Sequence, residues 1–157
     1  MAVTDSDKLA ARIESFMAAF GQAGLRITAQ RIEIFRALAR SVAHPDAETV
    51  FRWVRVRMPT ISRDTVYRTL GLLERASAAW RVATVKGRTR YDANTQPHHH
   101  FICSRCGCVR DIPSRYLGRL RLPRNLPGLG SITWMHVQAT GVCSHCKAGK
   151  PKKPARH

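Results

Sequence analysis

The sequence predicts an α+β chain, with an N-terminal winged helix-turn-helix followed by a small α/β domain built around a four-cysteine zinc site. Three observations carry that expectation. Apolar residues recur at helical spacing through the first half of the chain. Two β-prone runs then flank a glycine turn. In the second half, two matched pairs, Cys103-Ser104-Arg105-Cys106 and Cys143-Ser144-His145-Cys146, share the Cys-x-x-Cys spacing.

Residues 7–23 place Leu9, Ile13, Phe16, Met17 and Phe20 on one helical face, and Gly21 and Gly24 end the run. Thr28 caps a second helix whose apolar positions are Ile32, Ile34, Phe35 and Leu38. His44-Pro45 interrupts the chain, because the residue before a proline avoids helical angles. A third helix starts near Asp46, turns Val50, Phe51 and Val54 inward, and stops at Met58-Pro59. Ser62 caps a fourth, with Val66, Leu70 and Leu73 as its buried stripe and Arg63, Tyr67 and Arg68 off that stripe. Residues 80–85 and 89–91 around Lys86-Gly87-Arg88 form a hairpin. Helices followed by a basic hairpin make a winged helix, in which the last helix enters the major groove and the hairpin touches backbone or minor groove.

The winged helix is assigned to residues 1–92, a hinge to 93–97, the second domain to 98–146 and a basic disordered tail to 147–157. In the second domain, strands at 99–103 and 109–112 join through the first cysteine pair. A short helix is expected at 114–122, with Tyr116, Leu117 and Leu120 inward and Pro123 as its stop. A strand at 132–140 leads to the second pair.

The formal charge is +17, with 27 Lys/Arg against 10 Asp/Glu. Residues 93–157 carry 11 basic residues against one acidic. Such a surplus predicts a polyanion as partner, most simply nucleic acid; a merely soluble surface is the plain alternative. No apolar run reaches the ~18 residues of a membrane span. Met1 to Lys8 shows no signal-peptide core, and reduced thiols fit the cytoplasm.

Two Cys-x-x-Cys pairs converge four thiolates on one tetrahedral zinc. Two disulfides are the alternative, suited to a secreted scaffold. His98-His99-His100 and Asp111 flank the first pair and form a harder site suited to Fe(II), Mn(II), Zn(II) or Ni(II). In a strand, His98 and His100 share a face and His99 points away. The plain alternatives are a solvated or haem-contacting histidine run and a salt bridge from Asp111 to an arginine. Cys108 is either a small strand residue or a reactive thiol whose pKa is lowered by nearby cations.

Four segments together resemble the ferric uptake regulator (Fur) family of metal-dependent repressors, across residues 20–146. They are Leu25-Arg26-Ile27-Thr28-x-Gln30-Arg31, Asp64-Thr65-Val66-Tyr67-Arg68-Thr69-Leu70, His98-His99-His100-x-Ile102-Cys103-x-x-Cys106-Gly107, and Cys143-x-x-Cys146. Within the family the chain is most similar to the peroxide-sensing repressor (PerR) branch. The resemblance implies a homodimer with a winged-helix DNA-binding domain and a zinc-containing dimerisation domain. It implies one structural Zn(II) per chain on Cys103, Cys106, Cys143 and Cys146. It implies one regulatory Fe(II) or Mn(II) per chain on His44, Asp92, His98, His100 and Asp111. Iron-sensing members more often have glutamate at the two acidic positions, and zinc-sensing members have cysteine where Asp92 stands. A further family site falls here on Pro97, His99, Gly118 and Met135, a poor ligand set, and is expected to be absent.

The expected partner is double-stranded DNA with a palindromic operator. Its contacts would come from Ser62, Arg63, Thr65, Tyr67 and Arg68 on the fourth helix and Lys86 and Arg88 on the wing. No membrane, small-molecule substrate or catalytic activity is expected. Two alternatives stay open: an iron- or zinc-uptake regulator without peroxide chemistry, and a zinc-ribbon nucleic-acid enzyme hydrolysing through the His/Asp metal. The enzyme would need a general base near that metal, and no glutamate follows Glu74.

Overall fold

The computed structural model describes residues 5–85, 87–117, 127–128 and 135–149. It divides into two compact units between Thr95 and Gln96.

The first unit is helical with a two-stranded wing. Helix α1 spans Asp5–Gln22, α2 Ala29–Ala39, α3 Ala47–Arg57 and α4 Arg63–Arg75. Side-chain caps start three of them. Thr28 accepts from Arg31 N, Asp46 from Thr49 N and Ser62 from Thr65 N, each satisfying a backbone donor that lacks a helical partner. The helices bury one apolar cluster that includes Phe16, Phe20, Ile34, Phe35, Val50, Val54, Val66 and Leu70. Phe16 stacks on Phe35 and meets Phe20 edge-on, with ring centroids 4.5 Å apart in both pairs. Met17, expected on the inner face, is 40% exposed, because it lies one residue round the helix from Phe16.

Strands β1 (Trp80–Val85) and β2 (Arg88–Asp92) form the antiparallel wing, with an irregularity between Arg81 and Ala83. Gly87 turns the chain at φ +73°, a conformation side chains disfavour. Two contacts tie β2 to the helices: Tyr91 N donates to Pro45 O at 3.1 Å, and Asp46 bridges Arg90. These hold the His44-Pro45 turn against the strand that ends in Asp92.

The second unit is a three-stranded sheet of order β4-β3-β5, with β3 spanning His98–Cys103, β4 Val109–Pro113 and β5 Gln138–Gly141. β3 runs antiparallel to β4 and parallel to β5. A one-turn helix, α5 (Ser144–Lys147), follows β5. The expected helix at 114–122 appears among the described residues only as a 3-10 turn at Ser114–Tyr116. Tyr116 is 69% and Leu117 37% exposed, so neither faces inward. The turn is tied by Ser114 Oγ, which donates to Pro97 O at 2.6 Å. The expected strand at 132–140 is a strand only from Gln138 within the described residues. Lys86, Gly118, Leu120, Pro123, residues 132–134 and the tail beyond Gly149 lie outside the described residues. Among the described residues no helix is long and apolar enough to cross a membrane.

Asp46 offers a test of the cap. Burial alone would push its carboxyl up, but hydrogen bonds from Thr49 and Arg88 hold it below its ordinary value. A lowered carboxylate stabilises the fold above the unfolded pKa and stops doing so as pH falls through the folded one. Asp46→Ala should therefore lower stability by about 1 kcal/mol near neutrality. Urea unfolding should show that difference shrinking as the pH drops below 3.8, the ordinary aspartate value.

Candidate metal centres

The sulfur centre is assembled by the pairing of β3 with β5. That parallel register sets Cys103 opposite Gly141, and Ser104 N donates to Gly141 O at 2.8 Å. The second cysteine pair is thereby brought to the first across 40 residues of sequence. After Cys103 the chain turns tightly: Gly107 N donates to Cys103 O at 2.8 Å, and Gly107 adopts φ +70°. Cys143 caps α5, which carries Cys146. Arg105 crosses to donate to Cys146 O at 3.1 Å.

All five cysteines are free thiols, so the disulfide alternative does not describe this fold. Cys106 Sγ lies 3.7 Å from Cys143 Sγ. Zn–S bonds of about 2.3 Å give a tetrahedral sulfur edge of about 3.8 Å, so the spacing and the donor type both fit zinc. Backbone N–H groups of Cys106 and Cys143 aim at Cys103 Sγ, at 3.5 and 3.4 Å. They hold the Cys103 thiol down at about 5, and the Cys146 amide lowers Cys143 likewise. Such thiols are ready to bind as thiolates.

A second thiol grouping overlaps the tetrad read from the two pairs. Cys103, Cys106, Cys108 and Cys143 place their ligand atoms within 4.8 Å of one another. Cys146 is buried in the same cluster as Cys103 and Cys143. Cys108 precedes β4 rather than lying within it. Its thiol is pushed up to about 12, first by burial and then by its hydrogen bond to Cys106. Burial thus opposes the alternative of a thiol acidified by nearby cations. The signal that could have placed it is Cys106-Gly107-Cys108, since the glycine in a left-handed turn folds the next residue back.

A nitrogen–oxygen set lies at the other end of β3. His98, His99 and His100 are all buried. His98 Nε2 and His100 Nε2 are 2.9 Å apart, and Asp111 Oδ1 is 3.8 Å from each. The register explains this, because His100 pairs with Asp111 across β3 and β4. His98 Nδ1 meets Gln96 O at 2.7 Å, which leaves Nε2 as the donor atom in the neutral ring. That outer hydrogen bond is the usual orientation device for a metal-bound imidazole. Metal–nitrogen bonds of about 2.1 Å at right angles put two donors about 3.0 Å apart, so this set also fits a divalent ion. His99 is turned away and accepts from Val137 N at 3.1 Å.

His44 and Asp92 belong to the first unit. His44 Nε2 lies 3.5 Å from Asp92 Oδ2, and both residues are buried. His44 adopts φ 49°, a left-handed conformation that costs a non-glycine residue roughly 1–2 kcal/mol. Backbone strain of this kind concentrates at functional sites. Asp92 Oδ1 accepts from Asn94 N at 2.7 Å, which fixes the carboxylate at the end of the wing.

The nucleic-acid candidates sit on α4 and the wing. Ser62 is occupied as the α4 cap and bonds Thr65. Tyr67 is 53% exposed. A cleft of about 370 Å³ between α4 and the wing is lined by Tyr67, Gly87, Arg88 and Asp46 among others. Each candidate arginine already faces a carboxylate: Arg63 with Glu48 at 3.1 Å, Arg68 with Asp64 at 2.9 Å, Arg88 with Asp46 at 3.2 Å. Arg63 also lies over the Phe51 ring.

The chain was compared with known proteins. The model of the Ferric uptake regulator family matches residues 22–121. The peroxide-responsive repressor PerR of Staphylococcus aureus (strain Mu50 / ATCC 700699) is 31% identical over 136 residues, 86% of this chain and 91% of the relative. The structure of the Helicobacter pylori ferric uptake regulator Fur aligns with TM-score 0.66 and 22% identity, covering 88% of this chain and 93% of that one. The crystal structure of the Campylobacter jejuni peroxide stress regulator gives TM-score 0.58 and 22% identity, over 74% and 88%. Likeness to these two structures speaks for the fold alone.

The sulfur geometry predicts close to one zinc per chain in protein purified reduced. Cys103→Ser removes the thiol on which two backbone donors converge. Elemental analysis should then find zinc far below one per chain, and the second unit should unfold first on heating.

Proposed function

This chain belongs to the ferric uptake regulator family, and on that premise we propose that it is a peroxide-responsive, metal-dependent transcriptional repressor. The observation that carries the proposal is the buried His98–His100 pair with Asp111 opposite, in a chain that matches a peroxide-responsive repressor over most of its length. It acts in the cytoplasm as a homodimer on double-stranded DNA. A twofold dimer suits a palindromic operator. No catalytic role is part of this reading; a zinc-ribbon enzyme would need a general base near the His/Asp metal.

Zn(II) on Cys103, Cys106, Cys143 and Cys146 is structural in this proposal. His44 and Asp92 of the first unit and His98, His100 and Asp111 of the second hold one Fe(II) or Mn(II). The support is chemical: each unit offers an incomplete hard donor set, two groups in one and three in the other, and octahedral ions require more than either supplies. Sharing a ligand makes the orientation of the reading heads depend on occupancy, provided the DNA-competent state binds the ligand more tightly. Ser62, Arg63, Thr65, Tyr67 and Arg68 of α4, with Lys86 and Arg88 of the wing, meet the DNA. The carboxylates of Glu48, Asp64 and Asp46 must then give up their arginines to phosphate or base edges.

Fe(II) held by these residues would supply the electron donor for peroxide reduction beside their imidazoles. His44 and His98 are the rings assigned to take up oxygen, and an oxidised imidazole is a poorer donor. The two units then lose their common ligand and repression ends. An iron- or zinc-uptake regulator would use the same residues without this oxidation, so peroxide separates the two.

Operator shifts at fixed salt should require Mn(II) or Fe(II), and His100→Ala or Asp92→Ala should abolish the stimulation by metal while zinc content stays unchanged. Equal affinity with and without added metal would refute the sharing. Arg68→Ala should weaken binding to all sequences, and Tyr67→Ala should relax sequence preference. If six or more phosphates are neutralised, affinity should fall on the order of 10³-fold between 50 and 200 mM salt.

Low peroxide should add 16 Da to a His44 or His98 peptide in the iron form and leave the manganese form unmodified. Loss of DNA binding with unmodified histidines would point instead to thiol oxidation. No response at all would leave the uptake regulator.

A further inference from the structure

The sulfur centre contains one thiol more than a tetrahedral zinc site can use. Cys103, Cys106 and Cys143 are common to both candidate sets. Cys146 is buried in one cluster with Cys103 and Cys143, and Cys106 and Cys108 pack against that cluster. Cys108 completes a group of four ligand atoms within 4.8 Å of one another, a group that does not include Cys146. The fourth corner therefore has two claimants, one just before β4 and one on α5.

Local backbone explains why both reach. The left-handed Gly107 folds Cys108 back, and Cys108 O accepts from Cys103 N at 2.9 Å, so its position is fixed relative to the first pair. Cys146 is carried one turn into α5, whose start is fixed by the Cys143 N contact to Cys103 Sγ. The α5 helix is only four residues long. Cys146 thus stands on the shorter and more easily displaced support, and Cys108 is anchored on the sheet.

We propose that Cys108 is an alternative fourth zinc ligand, exchanging with Cys146 on a common base of Cys103, Cys106 and Cys143. This rests on the zinc assignment made above and adds a residue to it. The exchange balances without oxidation. The Cys108 thiol gives up its proton as its sulfur binds, and the Cys146 sulfur takes a proton as it leaves. The site keeps four thiolates and the same charge throughout. The consequence is a zinc site that survives loss of its last cysteine and can release α5 without releasing the metal.

The test uses the full chain, with zinc measured by elemental analysis and the thiolates counted from the near-ultraviolet charge-transfer band of the cobalt-substituted protein. Cys146→Ser should keep about one metal per chain with a four-thiolate spectrum, as should Cys108→Ser. The double variant Cys108→Ser/Cys146→Ser should bind at least tenfold more weakly and show three thiolates. Loss of metal from Cys146→Ser alone, or a three-thiolate spectrum in it, overturns the proposal. Should Cys146→Ser fail to fold, alkylation of the zinc-loaded wild type decides. Exchange predicts label divided between the Cys108 and Cys146 peptides, whereas label on only one of them overturns it. A folded wild type that carries no zinc would overturn the zinc assignment itself, which distinguishes that failure from this one.

Discussion

Among the described residues of the second unit, sulfur dominates one of the buried clusters. That cluster is Cys103, Cys143 and Cys146, with Phe101, Cys106 and Cys108 packed against it. A metal held by four thiolates adds folding free energy to a small unit of this kind. Convergent thiolates would also repel one another, so the arrangement makes sense only with a cation among them or with protons retained on some sulfurs. Everything downstream in this unit follows from that convergence: the parallel pairing of β3 with β5, the placement of α5, and the fixed end of β3.

β3 links the two chemistries. Its first residues present imidazoles and its last presents a thiol, within six residues. The strand's alternation puts His98 and His100 on one face with Asp111, while its far end is held by the sulfur cluster. A strand anchored at the soft site can hold its hard donors without a large core behind them. The same alternation leaves His99 to a structural task, accepting from Val137 N and tying the segment before β5 to β3.

The first unit is organised differently. Aromatic packing of Phe16, Phe20 and Phe35 supplies a conventional core, and charge is arranged on its surface. The arginines of α4 and the wing are paired with Glu48, Asp64 and Asp46. Their guanidinium ends are exposed, so the pairs are worth little to stability. Their effect is on recognition, since a carboxylate neighbour penalises loose phosphate binding and leaves closely fitted contacts to compensate. In a chain of net charge +17, such restraint bears on specificity more than on affinity.

Local rules made much of this legible from sequence. Thr28, Asp46 and Ser62 cap helices because their side chains reach backbone donors three residues on, a relation written in adjacent residues. The wing is readable from Gly87 between β-prone runs, and the side-by-side imidazoles of His98 and His100 from strand alternation. What sequence could not supply were relations across long separations or against local preference. Cys143 meets Cys103, Cys106 and Cys108 only because β3 pairs with β5. His44 takes a left-handed backbone that its residue type disfavours, held by a turn fastened to β2. Tyr116 and Leu117 are exposed although their spacing suggests an inner face, and the described turn that leads to them is 3-10 rather than α. Sequence by itself determined which donors exist and which elements carry them; tertiary structure decided which thiols meet, because that depends on strand pairing between segments distant in the chain.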